Sequence, residues 1–140
     1  MTVASGIGMK ILLAAISLVP LITIADEQQL NPFTTDGCSN FPEGSFAQDT
    51  LWLDCCTTHD LAYWRGGTAQ ERLLADRELR ICVSEHGQAS IAAMMFAGVR
   101  VGGSPYFPTS FRWGYGWRYP RTYGALDETE QNAVDEQLSK

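Results

Sequence analysis

Ten consecutive residues, Asp54-Cys55-Cys56-Thr57-Thr58-His59-Asp60-Leu61-Ala62-Tyr63, bring together an imidazole, carboxylates, two thiols and a phenol. On a helix, residues four apart stand one above the other, so Cys55, His59 and Tyr63 share a face while Asp60 points about 100° away. An imidazole held by a carboxylate through one nitrogen can take a proton from water through the other. A hard cation such as calcium wants several oxygens, which a carboxylate and neighbouring loop carbonyls supply. The chemistry on offer is therefore general-base activation of water beside a cation.

The elements that must position these groups follow from the pattern on either side. From about Asp49 to Arg65, Leu51, Trp52, Cys55, Cys56, His59, Ala62 and Tyr63 recur at three- and four-residue steps, which predicts a helix with one busy face. Gly66-Gly67 stops it. Thr68 and Glu71 then spell a capping box, and Leu73, Leu74, Leu79, Ile81, Cys82 and Val83 carry a second helix to Ser84-Glu85-His86-Gly87. Two helices joined so tightly run antiparallel.

Adjacent cysteines do not easily bond to each other, so Cys55 and Cys56 each reach elsewhere, one to Cys38 and one to Cys82. Were Cys55 the partner of Cys82, Asp76 would lie about 9 Å along the second helix, level with the gap between His59 and Tyr63 at about 6 and 12 Å along the first. The six residues from Asp76 to Cys82 also turn the helix through about 600°, which leaves Asp76 off the cysteine's face. Axial position thus favours Asp76 as the orienter of His59, and rotation does not decide it. Bridging Cys38 to the first helix would carry the Gly37 carbonyl and its neighbours toward Asp60.

Around this pair, Asp26 to Thr35 reads as a polar lead-in and Asp36-Gly37-Cys38-Ser39-Asn40-Phe41-Pro42-Glu43-Gly44 as a loop. A third helix is expected over Ala89 to Arg100, and an acidic helix or tail from Asp127 through Leu138. Between them, Phe111, Trp113, Tyr115, Trp117 and Tyr119 alternate with Arg112, Gly114, Gly116 and Arg118, which is strand periodicity with one aromatic face. Packing in the core is the expected use of that face, ahead of insertion into lipid, although Trp, Tyr and Arg also suit a bilayer interface. His86 is expected to be a helix-end residue favoured by the dipole.

The chain has 140 residues, 45% apolar and 19% charged, which bounds it to one globular domain and excludes collagen-like, coiled-coil and wholly disordered classes. Its net charge of -6, with no dense Lys/Arg block, argues against nucleic acid as a partner. Ile11 to Ala25 is an uncharged apolar run after Lys10, ending in small residues and shorter than the roughly 20 residues of a bilayer span. Residues 1–25 are therefore read as a signal peptide and 26–140 as the single mature domain. All four cysteines lie beyond the cut, so two disulfides and a secreted or periplasmic location are expected.

Cys-Cys-x-x-His-Asp-x-x-Tyr on a tethered helix, followed by Ala-Asp-Arg-Glu-Leu-Arg-Ile-Cys on the next, resembles the secreted phospholipase A2 family over about Asp36 to Cys82. The Asp-x-Cys start of the loop is similar to prokaryotic members. The resemblance implies a mainly α fold in which two antiparallel disulfide-linked helices carry a calcium-binding-type loop. It implies calcium-dependent hydrolysis of the sn-2 ester of glycerophospholipids by a His-activated water, acting as a monomer at a phospholipid membrane surface. It assigns catalysis to His59 with Asp76 and Tyr63 in support, calcium to Asp60, Asp36, Gly37 and Ser39, and the disulfides Cys38–Cys56 and Cys55–Cys82. The chain departs from the animal enzymes in Ser39-Asn40-Phe41-Pro42, where their loop is richer in glycine, and in Ala62, where they carry a further cysteine.

Two other classes fit the same residues. A non-catalytic lipid- or protein-binding module would keep the scaffold with an altered loop. A disulfide-rich, toxin-like protein would act through surface aromatics and arginines if the 111–119 segment were exposed.

Overall fold

The computed structural model describes Met1 and residues 29–140, so the signal-peptide reading of residues 1–25 lies, Met1 apart, outside the described residues. Four helices follow in order: α1 (Leu53–Arg65), α2 (Ala69–Glu85), α3 (Ala89–Gly102) and α4 (Glu128–Leu138). Among the described residues there is no β-strand, only an isolated bridge between Ser45 and Gln48. No described helix is long and apolar enough to cross a membrane.

α1 begins four residues later than the pattern predicts, because the chain before it is held in turns: the Trp52 indole donates to the Pro42 carbonyl at 2.7 Å and the Trp52 amide to Glu43 at 3.0 Å. It ends where the glycines dictate, Gly66 at φ 71° and Gly67 at φ 137°, conformations a side chain resists. α2 opens on the predicted capping box, Glu71 N–H to Thr68 Oγ1 at 3.2 Å and Thr68 N–H to Glu71 Oε2 at 2.7 Å. α2 packs on both α1 and α3. Asp127 and Glu130 cap α4 in the same reciprocal way.

Both disulfides form as the resemblance implies, Cys38–Cys56 and Cys55–Cys82. They close separations of 18 and 27 residues, each removing about 3 kcal/mol of denatured-chain entropy. Their sulfurs sit in one buried cluster with Trp52, Leu79, Val83, Ala92 and Met95, where α1, α2 and α3 meet.

The aromatic segment corrects the sequence reading. Residues 111–119 are turns: Gly114 takes φ 75° and its carbonyl accepts the Trp117 amide at 3.0 Å, so the chain folds back rather than extends. Burial does not alternate: Arg112, Trp113, Gly114, Gly116 and Trp117 are all buried. Trp113 and Trp117 are buried at 2% exposure each, while Phe111 and Tyr119 reach solvent. What displaces the strand is the end of α1, whose last carbonyls need donors. Ala62 is satisfied by the Gly66 amide, Tyr63 by the Gly114 amide at 2.6 Å, Trp64 by the Gly116 amide at 3.1 Å and Arg65 by the Trp117 indole at 2.7 Å. The Trp113 indole takes Gly67 O at 2.8 Å. Residues 113–117 are thus a C-terminal cap for the helix that carries His59. The lead-in joins them: Asn31 donates to Gly116 O and its own carbonyl accepts the Trp64 indole at 2.8 Å.

Candidate active site

His59 and Tyr63 lie on the buried face of α1 and Asp76 on that of α2, which runs Arg72, Ala75, Asp76, Leu79 and Val83. Cys82 stands beside that face, which resolves the rotation problem: the disulfide closes the flank of the hairpin and Asp76 its interior. His59 Nε2 is 2.8 Å from Asp76 Oδ1. The Tyr63 hydroxyl donates to the same oxygen at 2.8 Å, and its ring lies over the imidazole with centroids 4.2 Å apart.

Asp76 has no solvent exposure. Burial alone would drive its carboxyl upward, but donors from His59, Arg100 and Tyr63 together hold it below the usual carboxylate range. An ionised Asp76 only accepts, so His59 Nε2 carries a hydrogen, and in the neutral ring the lone pair is on Nδ1. Burial, with the Asp76 charge beside it, pushes the Tyr63 hydroxyl far above the ordinary tyrosine range, which keeps it a donor.

Two arginines complete the network, and sequence reasoning missed both. Arg100, from α3, places Nη1 2.6 Å from Asp76 Oδ2. Arg72, 3% exposed, donates from Nε to the Tyr63 hydroxyl at 3.0 Å and onward to Tyr123 Oη and the Val99 and Arg100 carbonyls. A signal for Arg72 existed: it precedes Asp76 by four residues, on an otherwise apolar face. Nothing comparable marked Arg100 or Tyr123.

His59 and Asp60 line a cavity of about 250 Å³, walled also by Gly37, Ser39, Phe41, the Cys38–Cys56 bridge, Leu79, Met95, Gly98 and Val99. A smaller hollow, lined by Thr34, Thr35, Asp36, Ser110, Phe111 and Tyr115, adjoins it through Asp60. Asp60 Oδ1 stands 4.0 Å from His59 Nδ1, and Oδ2 accepts the Thr35 hydroxyl at 2.6 Å. Burial lifts the Asp60 carboxyl above its ordinary value; the Thr35 bond and His59 oppose this, and the Asp36 charge adds to it. Asp36 itself accepts the Ser39 hydroxyl at 2.9 Å. Gly37 and Ser39 are both left-handed, at φ 69° and 56°. The Asp60 and Asp36 carboxylates act on one another and the loop beside them offers further oxygens, a set that suits a hard cation. Cys55, Cys82 and His86 also present ligand atoms within 4.8 Å of one another, but both sulfurs are bonded in the disulfide.

The structure therefore brings together His59, Asp76, Tyr63 and Asp60, with Asp36, Gly37 and Ser39 on the adjoining loop. Compared with family models, curated proteins and solved structures, the chain matches none.

Proposed function

We propose that the chain is a phospholipase A2 that hydrolyses the sn-2 acyl ester of glycerophospholipids with calcium. The observation that carries this reading is the 2.8 Å bond from His59 Nε2 to a fully buried, arginine-paired Asp76, with Asp60 beside the other ring nitrogen. In this reading His59 Nδ1 takes a proton from water as its oxygen attacks the acyl carbon. The ester C–O bond then breaks, and the proton passes from His59 to the departing lysophospholipid oxygen. Asp76 holds the ring and its charge balances the imidazolium formed in between. Asp60, Asp36 and loop oxygens at Gly37 and Ser39 would hold calcium, which when bound supplies a Lewis acid for the acyl carbonyl. The apolar wall of Phe41, Leu79, Met95 and Val99 receives the chain attached to that carbonyl.

The test is release of labelled fatty acid from the sn-2 position of phosphatidylcholine, with and without calcium. His59→Gln and Asp60→Asn are each expected to abolish release while leaving the melting transition cooperative. Full activity in either variant, or an undiminished rate in chelator, refutes the proposal. A second reading, a lipid-binding module, is favoured by the Thr35 hydroxyl already seated on one Asp60 oxygen. Fatty-acid binding with no hydrolysis and no heat of calcium binding would select it.

A further inference from the structure

The cavity beside His59 has an unusual floor. Gly98 and Gly102, one helical turn apart on α3, face the rings of Phe41 and Phe111, which arrive from separate segments of the chain. A Cβ at Gly98 would stand 3.1 Å from Phe41 Cε2 and Cζ, and one at Gly102 would stand 3.7 Å from Phe111 Cε2. Both rings line the cavity, and Phe111, 40% exposed, is at its edge.

Neither ring is on a loose tether. Phe41 follows a turn closed by its own amide on Cys38 O at 3.0 Å, and Cys38 is bridged to α1. Phe111 precedes Arg112 and Trp113, both buried, the first donating to Trp117 O at 2.6 Å. The volume of about 250 Å³ lies below the roughly 300–1,000 Å³ of pockets for drug-sized ligands, so one chain enters and the rest of a lipid stays outside.

We infer that Phe41 and Phe111, each resting on a glycine of α3, set the width of the passage to His59 and select an unbranched acyl chain over one methyl-branched near the ester. This rests on the acyl-ester reading above for its kinetic arm. One extra methyl-sized group in an apolar pocket is discriminated by about 10- to 200-fold, which sets the expected scale.

The kinetic experiment compares kcat/KM for phosphatidylcholine carrying a straight or a 3-methyl-branched sn-2 hexadecanoyl chain. The native protein is expected to prefer the straight chain by about tenfold or more, and Phe111→Ala and Phe41→Ala to bring the ratio toward one. Phe111 is a surface residue, so its variant keeps the fold, which a melting curve verifies. A ratio near one in the native protein, or a ratio that neither phenylalanine variant moves, overturns the inference. A binding arm separates it from the hydrolytic reading: calorimetry with hexadecanoic and 3-methylhexadecanoic acid. Selective binding without hydrolysis sinks only the phospholipase reading; equal affinity, or no binding of either acid, sinks the gate.

Discussion

Arg100 Nη1 lies 2.6 Å from Asp76 Oδ2, on the carboxylate oxygen that His59 does not use. Arg100 thus shares with His59 and Tyr63 the task of keeping this buried acid charged. Arg100→Met leaves Oδ2 without its closest donor and is expected to destabilise the fold by about 1–3 kcal/mol, at the low end because the Arg100 side chain is 32% exposed. The pH dependence follows from the direction of the shift. Asp76 is held below its unfolded value of about 3.9, so its contribution is present above that pH and is lost as pH falls through the folded value. In urea titrations the gap between native and Arg100→Met proteins should therefore be full near neutrality and shrink in acid. A gap that is constant with pH would mean that Arg100 stabilises by packing alone.

Asp60 predicts the opposite sign for a cation-free protein. Its carboxyl is raised, chiefly by burial, so ionising it opposes folding and stability declines as pH rises through the folded value. A cation that needs the ionised form reverses this. Calcium at about 100 times its dissociation constant should stabilise the protein by about 2.7 kcal/mol, read as a rise in melting temperature that chelator removes and Asp60→Asn lacks. Equal calcium shifts in native and Asp60→Asn proteins would place the cation elsewhere.

The helical hairpin and its chemistry were legible because short-range rules governed them. Gly66-Gly67, the Thr68 capping box and the Cys55, His59, Tyr63 spacing are local signals, and the structure keeps all three. Asp76 was legible along the axis but not around it, since packing, not spacing, decides which face of α2 turns inward. The 111–119 segment misled for the same reason. Its alternation is real, yet the unsatisfied carbonyls at the end of α1 claim the Gly114 and Gly116 amides that a sheet partner would have used. Arg100 and Tyr123 act across 24 and 51 residues, and no local pattern carries such a pairing.

That capping role makes Trp113 structural. Trp113→Phe removes the indole donor from Gly67 O, a buried bond of 2.8 Å, and is expected to cost about 0.5–1.5 kcal/mol, because Gly67 O still accepts the Gly124 amide at 3.1 Å. It should also loosen the edge-to-face packing of Trp113 on Tyr63, at 5.1 Å between centroids. Vesicle binding should be unchanged, since the ring is 2% exposed. Native stability with weakened vesicle binding would restore the lipid-facing reading of this segment.

The arginines of the same region yield the last expectation. Arg100 is spent on Asp76, Arg112 on the Thr109 and Trp117 carbonyls, and Arg121 on Glu130, so of these four only Arg118 lies exposed without a described hydrogen bond. The neighbouring surface instead shows Val101, Tyr106 and Phe107, each more than half exposed. Contact with a phospholipid surface should then be apolar. Sedimentation with phosphatidylcholine vesicles is expected to change little between about 0.1 and 1 M salt, although the Debye length falls from about 10 to about 3 Å. Anionic lipid should add little, and Phe107→Ala should weaken binding by about 1 kcal/mol, roughly fivefold. A steep loss of binding with salt would show that Arg118 and cations elsewhere on the surface, not these aromatic side chains, make the contact.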